Sequence, residues 1–220
     1  MTLRNTLLLL ACVSLLAVPA SAQERYIDFN VFAAWANPSG DSAIQFSGDV
    51  NDLNDVEFDA AQGWGVSVNI FWSDRISTEF AGSVIDPELR VRDIGRTRVV
   101  FAEPLEMIPI TATLQFHLLP GSRFDPYVGV GAGYVIFQDI EDRNDLDEID
   151  FDRIDFEDDV GLVLNAGVRI GFTRNLGLYL DAKYMPLEAA ATAVFPGGEN
   201  AGQEIEINPL ILAAGLSFSF

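Results

Sequence analysis

His117 is the only histidine of the 220-residue chain. It lies in the segment Ile110 to Leu118, where Thr111, Thr113, Gln115 and His117 share one face of an extended strand. Ile110, Ala112, Leu114, Phe116 and Leu118 share the other. A histidine beside a serine can act as a base toward a hydroxyl nucleophile, and Ser77 and Ser83 are the candidates for that pairing. One histidine on a polar face also serves as a hydrogen-bonded filler, and that is the reading adopted, so no enzyme activity is assigned. Asp139 to Asp159 holds twelve acidic residues against Arg143 and Arg153. Oxygen-rich runs of this kind suit Ca²⁺ or Mg²⁺. The spacing lacks the glycine turn and closing glutamate of a calcium loop, so a solvated acidic loop with no resident metal is expected. Bridging to lipid phosphates through divalent ions is the alternative. No phosphate loop, zinc spacing or nucleotide fingerprint occurs, and no cofactor is expected.

The elements that must position these residues follow from charge and period. The formal charge is −20 while 49% of residues are hydrophobic. Such acidity repels nucleic acid, and that partner class is excluded. High charge together with high hydrophobicity implies segregation into apolar strands and charged loops. Eight segments of period two occur: Tyr26 to Ala36, Gly63 to Trp72, Arg75 to Ile85, Ile110 to Leu118, Tyr127 to Phe137, Val160 to Phe172, Leu176 to Tyr184 and Leu210 to Phe220. Each is about the length that a tilted membrane strand needs. Short links (Ser73 to Arg75, Leu119 to Asp125, Thr173 to Asn175) alternate with long ones (Asn37 to Gln62, Asp86 to Glu106, Gln138 to Asp159, Pro186 to Asn208). A soluble β-sandwich would also alternate, burying its apolar face between sheets. The loop rhythm and the aromatics near strand ends (Trp35, Trp72, Phe172, Tyr184, Phe220) favour a membrane.

Residues 1–22 read as an export signal. Arg4 opens it, Leu7 to Val18 is its apolar stretch, and Ala20-Ser21-Ala22 is a small-residue cleavage site. The sole cysteine, Cys12, lies within it, so the mature chain, 23–220, has no disulfide and no thiolate chemistry. The expected fold is an all-β, eight-stranded antiparallel transmembrane β-barrel.

With strand direction set by the short links, inward residues sort by height. Asp28, Glu79, Gln115, His117, Arg169, Asp181 and Lys183 form a polar floor in the periplasmic half. Phe32, Ala34, Ala81, Ile85, Val163, Met185, Leu187 and Ile211 form an apolar lining above it. An eight-stranded barrel is just wide enough for side chains to fill, so these residues either line a path or simply pack the lumen. Arg169 is expected to pair with Asp181 on the next strand, with Asp28 and Glu79 approaching from across the lumen, and so to close the periplasmic end. Pro109, Pro186 and Pro209 fall at the outer ends of three strands, where they either stop the ladders or open a lateral gap toward lipid.

The run Pro109-Ile110-Thr111-Ala112-Thr113-Leu114-Gln115-Phe116-His117, followed by Phe124-Asp125-Pro126-Tyr127-Val128-Gly129-Val130-Gly131-Ala132-Gly133-Tyr134, resembles the central strand pair of OmpW-family outer-membrane proteins. Leu178 to Tyr184 resembles that family's seventh strand, and Asn208-Pro209 with the strand ending in Phe220 its eighth. The resemblance implies an eight-stranded barrel in the outer membrane of a Gram-negative-type bacterium, with an apolar channel that passes small hydrophobic molecules. It also implies that Phe220 is read by the barrel assembly machinery and that outer-membrane lipids surround the wall. The acidic third loop departs from the family. A non-conducting structural or surface-interaction barrel with acidic external loops remains the alternative.

Overall fold

The computed structural model describes residues 26–39, 42–45, 53–93, 98–104, 106–137, 140–141, 153–156, 159–194 and 200–220. The expected export signal at 1–22 lies outside the described residues, as do 139, 142–152 and 157–158 of the acidic run. The described elements are all strands: β1 (Ile27–Ser39), β2 (Ser42–Gln45), β3 (Leu53–Phe58), β4 (Ala61–Phe71), β5 (Ile76–Ile85), β6 (Glu88–Asp93), β7 (Arg98–Pro104), β8 (Met107–His117), β9 (Phe124–Phe137), β10 (Ile140–Glu141), β11 (Arg153–Phe156), β12 (Asp159–Gly171), β13 (Leu176–Tyr184), β14 (Leu187–Val194) and β15 (Asn200–Ser219).

Eight of them close a barrel in the order β1-β4-β5-β8-β9-β12-β13-β15, every pairing antiparallel, with β15 returning to β1. The closing ladder runs from Asp28 opposite Ser219 up to Ser39 opposite Asn208. These eight strands correspond to the eight alternating segments of the sequence. The long links differ from expectation. Residues within 37–62 and 86–106 form a four-stranded sheet, β2-β3-β6-β7. Within 186–208, β14 pairs with the upper half of β15, and β11 and β10 add to it. Period two runs through parts of these outer strands as well, as in Glu88-Leu89-Arg90-Val91-Arg92 and Glu204-Ile205-Glu206-Ile207, but such runs are shorter than a membrane-spanning segment.

The short links close as tight turns. Trp72 N–H donates to Ile76 O at 2.9 Å, and Phe172 N–H to Leu176 O at 2.8 Å. Ser73 Oγ and Thr173 Oγ1 accept from the amides of Ile76 and Leu176, the local bonding for which such hydroxyls favour turns. In the third turn Gly121 takes φ 75°, a left-handed conformation that suits glycine.

The outward face is apolar: Val31, Phe80, Leu114, Val130, Leu162, Leu164, Leu212 and Leu216 are each two-fifths exposed or more. In water such a surface would be untenable, so it must face hydrocarbon. Tyr26, Trp72, Phe124 and Phe172 ring the turn end, and Trp35, Trp64, Tyr134 and Tyr184 ring the other. Phe124 to Tyr134 is about ten residues. At about 3.3 Å per residue and a tilt near 40°, that spans about 25 Å, the height of a barrel's apolar band.

Inside, side chains of very unequal size share a narrow lumen. Gly167 shows how they fit: a Cβ there would collide with the Tyr127 hydroxyl and ring. Replacing Gly167 with Val should drive Tyr127 off its seat and cost about 1–3 kcal/mol through overpacking. The check is urea unfolding in lipid vesicles, together with the temperature at which the unboiled protein loses its compact gel mobility. An unchanged unfolding midpoint would show that the lumen has slack at this level.

Candidate functional site

The lumen stacks in layers, each built by the alternate residues of several strands. The lowest is the polar mouth. Asp28 accepts from Ser219 Oγ at 2.6 Å, and Arg169 Nε lies 3.7 Å from Asp28 and donates to Ser217 Oγ at 3.2 Å. Beside it, Ser77, His117 and Asp125 form a buried string. Ser77 Oγ is 2.8 Å from His117 Nε2, and His117 Nδ1 is 3.0 Å from Asp125 Oδ2. A carboxylate only accepts, so the Nδ1 proton points to Asp125 and Nε2 is left to accept from Ser77. The connectivity is that of a nucleophile, its base and an orienting carboxylate. Ser77 and His117 are both 0% exposed, with the rings of Phe71 and Tyr127 4.9 and 5.5 Å from the imidazole. A substrate therefore has no approach to the hydroxyl. Ser83, the other candidate, is on the same strand three steps higher and is not bonded to His117.

The middle layer crosses the whole lumen. Lys183 Nζ sits 2.8 Å from Glu79 Oε2 and 2.6 Å from Asp181 Oδ1. Tyr179 donates to Glu79 at 2.8 Å, and Tyr127 to Asp181 at 2.7 Å. Asn165 Nδ2 donates to Asp181 at 2.6 Å. Gln115 Nε2 donates to Glu79 and to Asn165, while its carbonyl accepts from Asn69. Six strands thus meet through one bonded set of side chains. A buried ammonium between two carboxylates, each further bonded, is the arrangement in which interior charge is tolerated.

Above lies the apolar layer. Ala34, Ile85 and Val163 are fully buried, and Met185, Leu187, Ile211 and Phe32 nearly so. Phe32 packs on the Tyr179 ring at 5.6 Å. Ala81 is only half-buried and borders a small cavity of about 20 Å³ between the polar and apolar layers. That cavity is also lined by Gly82, Ser83, Pro109, Thr111 and Lys183.

Several placements differ from the sequence expectation. Arg169 does not meet Asp181: it stands opposite Tyr179, while Asp181 faces Gly167 and is claimed by Lys183. The closure across the lumen is therefore made one level higher, by Lys183 with Glu79 and Asp181, and Arg169 belongs to the mouth. Lys183 stands opposite Asn165 and Ile211, at mid-height. Two of the prolines are not strand ends, whereas Pro186 lies in the break between β13, which ends at Tyr184, and β14, which begins at Leu187. Pro109 lies within β8 and Pro209 within β15, because both strands extend beyond the apolar alternation. At Pro186 the wall stays joined: Met185 N–H donates to Pro209 O at 3.2 Å, and pairing resumes at Leu187 opposite Ile207. Pro209 also continues the ladder to β1 opposite Pro38. Pro109 is different. The β5–β8 ladder pairs Gly82 with Ile110 and then skips to Ile85 with Met107, so two residue pairs are missing where the proline lacks a donor.

The sequence reading passed over Tyr127, Tyr179 and Asn165 as site residues, and over Asp125. Strand parity places all four inward, and that was the available signal. It also passed over Met107, Val135 and Phe137, buried in the apolar layer.

The chain matches the sequence profile of the OmpW family over residues 27–220. It is 24% identical over 177 residues to the uncharacterized outer-membrane protein y4mB of Sinorhizobium fredii, covering 79% of this chain and 73% of that one. It is 28% identical over 155 residues to the outer membrane protein AlkL of Ectopseudomonas oleovorans, covering 68% of this chain but only 62% of AlkL. Its fold matches the crystal structure of the outer membrane protein OprG from Pseudomonas aeruginosa with a TM-score of 0.72 at 17% identity, covering 90% of this chain and 97% of OprG.

Removing the central cation strands two buried carboxylates. Lys183→Met should destabilise the barrel by about 3–5 kcal/mol. Adding Glu79→Gln and Asp181→Asn to it should recover most of that loss, since the charges that Lys183 compensates are then gone. Denaturant unfolding of the three proteins in one lipid checks both steps. A triple variant no more stable than Lys183→Met would show that packing, not charge pairing, holds this layer.

Proposed function

The chain belongs to the OmpW family, and on that premise we propose that this outer-membrane β-barrel is a passive conduit through which small hydrophobic molecules enter from outside and leave sideways into the membrane. The observation that carries the reading is the coincidence of three features at one height. The Lys183 layer blocks the axis with bonded charge. A small cavity lies directly above it. The β5–β8 ladder is interrupted beside that cavity, at Pro109. An apolar solute gains nothing from entering a charged layer and would have to break it. The wall beside it lacks two ladder pairs. Pro186 and Pro209 have no part in this exit, because the Met185 amide bonds Pro209 O across the wall there. The layer above must shift to admit a solute, and Met107 and Met185 supply flexible, unbranched side chains for that.

A second reading has its own support. Ile85, Val135, Val163, Met107 and Met185 are buried to 1% exposure or less, as in a lumen filled for structure alone. In that case the barrel conducts nothing and presents its acidic loops to the surroundings. Under either reading, Ser77, His117 and Asp125 act as a structural string and not as an active site. The C-terminal Phe220, bonded through its amide to Ile27 O at 2.9 Å, is the proposed contact for the assembly machinery.

Pro109→Val separates the two readings. It restores a backbone donor at the interruption, and a ladder bond worth about 1 kcal/mol would lower the open population about fivefold. Uptake of a small alkane by cells carrying the variant should fall by about that factor, with the folded barrel retained at wild-type level in the outer membrane. Equal uptake with and without the protein would instead establish the non-conducting barrel.

A further inference from the structure

We infer that the periplasmic mouth of the barrel is a binding cup for a phosphate group. Each of the three described turns at that end carries one arginine: Arg75, Arg123 and Arg174. In a chain of net charge −20 this is a local inversion of sign. Two of the three, Arg123 and Arg174, line a single cavity of about 600 Å³ that opens at the turn end. Arg169, reaching down from β12, lines it too.

The cup is blind. The Lys183 layer closes the lumen above it, so its contents have nowhere to pass. Its walls are Phe71 and Phe172, with Gly121, Ser122 and Thr173 from the turns. One carboxylate, Asp74, lines it against three guanidiniums. Arg169 shares Asp28, but neither the Arg123 nor the Arg174 side chain has a hydrogen bond or ion pair among the described residues. Two unengaged guanidiniums and a third behind them, converging on one space, suit a group with several strong acceptor oxygens. A phosphate offers three or four around one centre, and Arg recognises it by paired N–H bonds.

The depth of the cup narrows the source. It opens at the level of Tyr26, Trp72, Phe124 and Phe172, the aromatic ring that marks the lipid–water boundary. Phosphate at that depth comes either from a phospholipid headgroup of the periplasmic leaflet or from a soluble phosphate ester. The chemistry is shared, and the inference does not depend on what the outer half of the barrel conducts.

The test uses the full mature chain folded in uncharged maltoside micelles at constant ionic strength. The probes are glycerol 3-phosphate and dihexanoyl phosphatidylglycerol, with acetate as the carboxylate control. The backbone amides of Gly121 and Gly171 report by NMR, Gly171 because it donates to Arg123 O at 2.7 Å. At least one phosphate probe should shift both amides saturably while Ala34, in the apolar layer, stays put. Arg123→Gln/Arg174→Gln should weaken that binding at least about tenfold. Both residues are exposed, and the variant's unboiled gel mobility verifies its fold. Tighter binding of the lipid assigns the headgroup, and equal or tighter binding of the soluble ester assigns a free phosphate ester. The inference is overturned if neither probe saturates, if acetate matches them, or if the double variant binds as the wild type does.

Discussion

In hydrocarbon no water is left to satisfy a backbone amide or carbonyl, and each one left bare costs several kcal/mol. The ladder between β1 and β15, twelve residue pairs long, removes the two edges that the sheet would otherwise present to lipid. The other main features follow from that closure. It makes one face of every strand an outside and the other an inside, so the period-two pattern becomes a division between lipid and lumen. It also fixes the bore, since eight strands enclose only enough space for their own side chains.

A narrow closed bore dictates how charge is held. Lys183 is buried, so its charge must be compensated inside the lumen, by Glu79 from across it and by Asp181 on its own strand. The tyrosines and amides around them complete the bonding and tie six strands together. Charge is thereby graded along the barrel axis, from a bonded layer at mid-height to arginines at the short turns. The Ser77-His117-Asp125 string is part of the same economy of space. It has the connectivity of a hydrolase and the burial of a structural filler, and burial decides what it can do.

The lapse in the β5–β8 ladder acquires meaning from its position. Proline at 109 removes a donor that the β5–β8 ladder would use, and the lapse falls where the polar layer gives way to the apolar one. At Pro186 and Pro209 the ladder also skips two pairs, from Tyr184 opposite Leu210 to Leu187 opposite Ile207, but the Met185 amide bonds Pro209 O across the skip. The same residue type is thus a breach at one site and a bend at another, according to whether a neighbour covers the missing bond.

The sequence determined the barrel. Alternation from Ile110 to Leu118, and in seven further segments, sets strand number, inward parity and the short-turn end, because lipid on one side and lumen on the other impose period two on each spanning strand. It also placed Asp28, Glu79, Gln115, His117, Arg169, Asp181 and Lys183 inside, since parity needs no partner. Tertiary structure decided who meets whom. Arg169 and Asp181 lie on adjacent strands and seemed matched, but the register sets Tyr179 against Arg169 and Gly167 against Asp181. The space over Gly167 lets Tyr127 reach Asp181, and Lys183 takes the other carboxylate oxygen. Period alone cannot give that result, because it fixes which face a residue occupies but not its height against strands far away in the chain. The outer strands within 37–62, 86–106 and 186–208 were missed for a related reason: alternation as in Glu88-Leu89-Arg90-Val91-Arg92 and Glu204-Ile205-Glu206-Ile207 is shorter than a membrane span, and only pairing with a neighbour makes such runs strands.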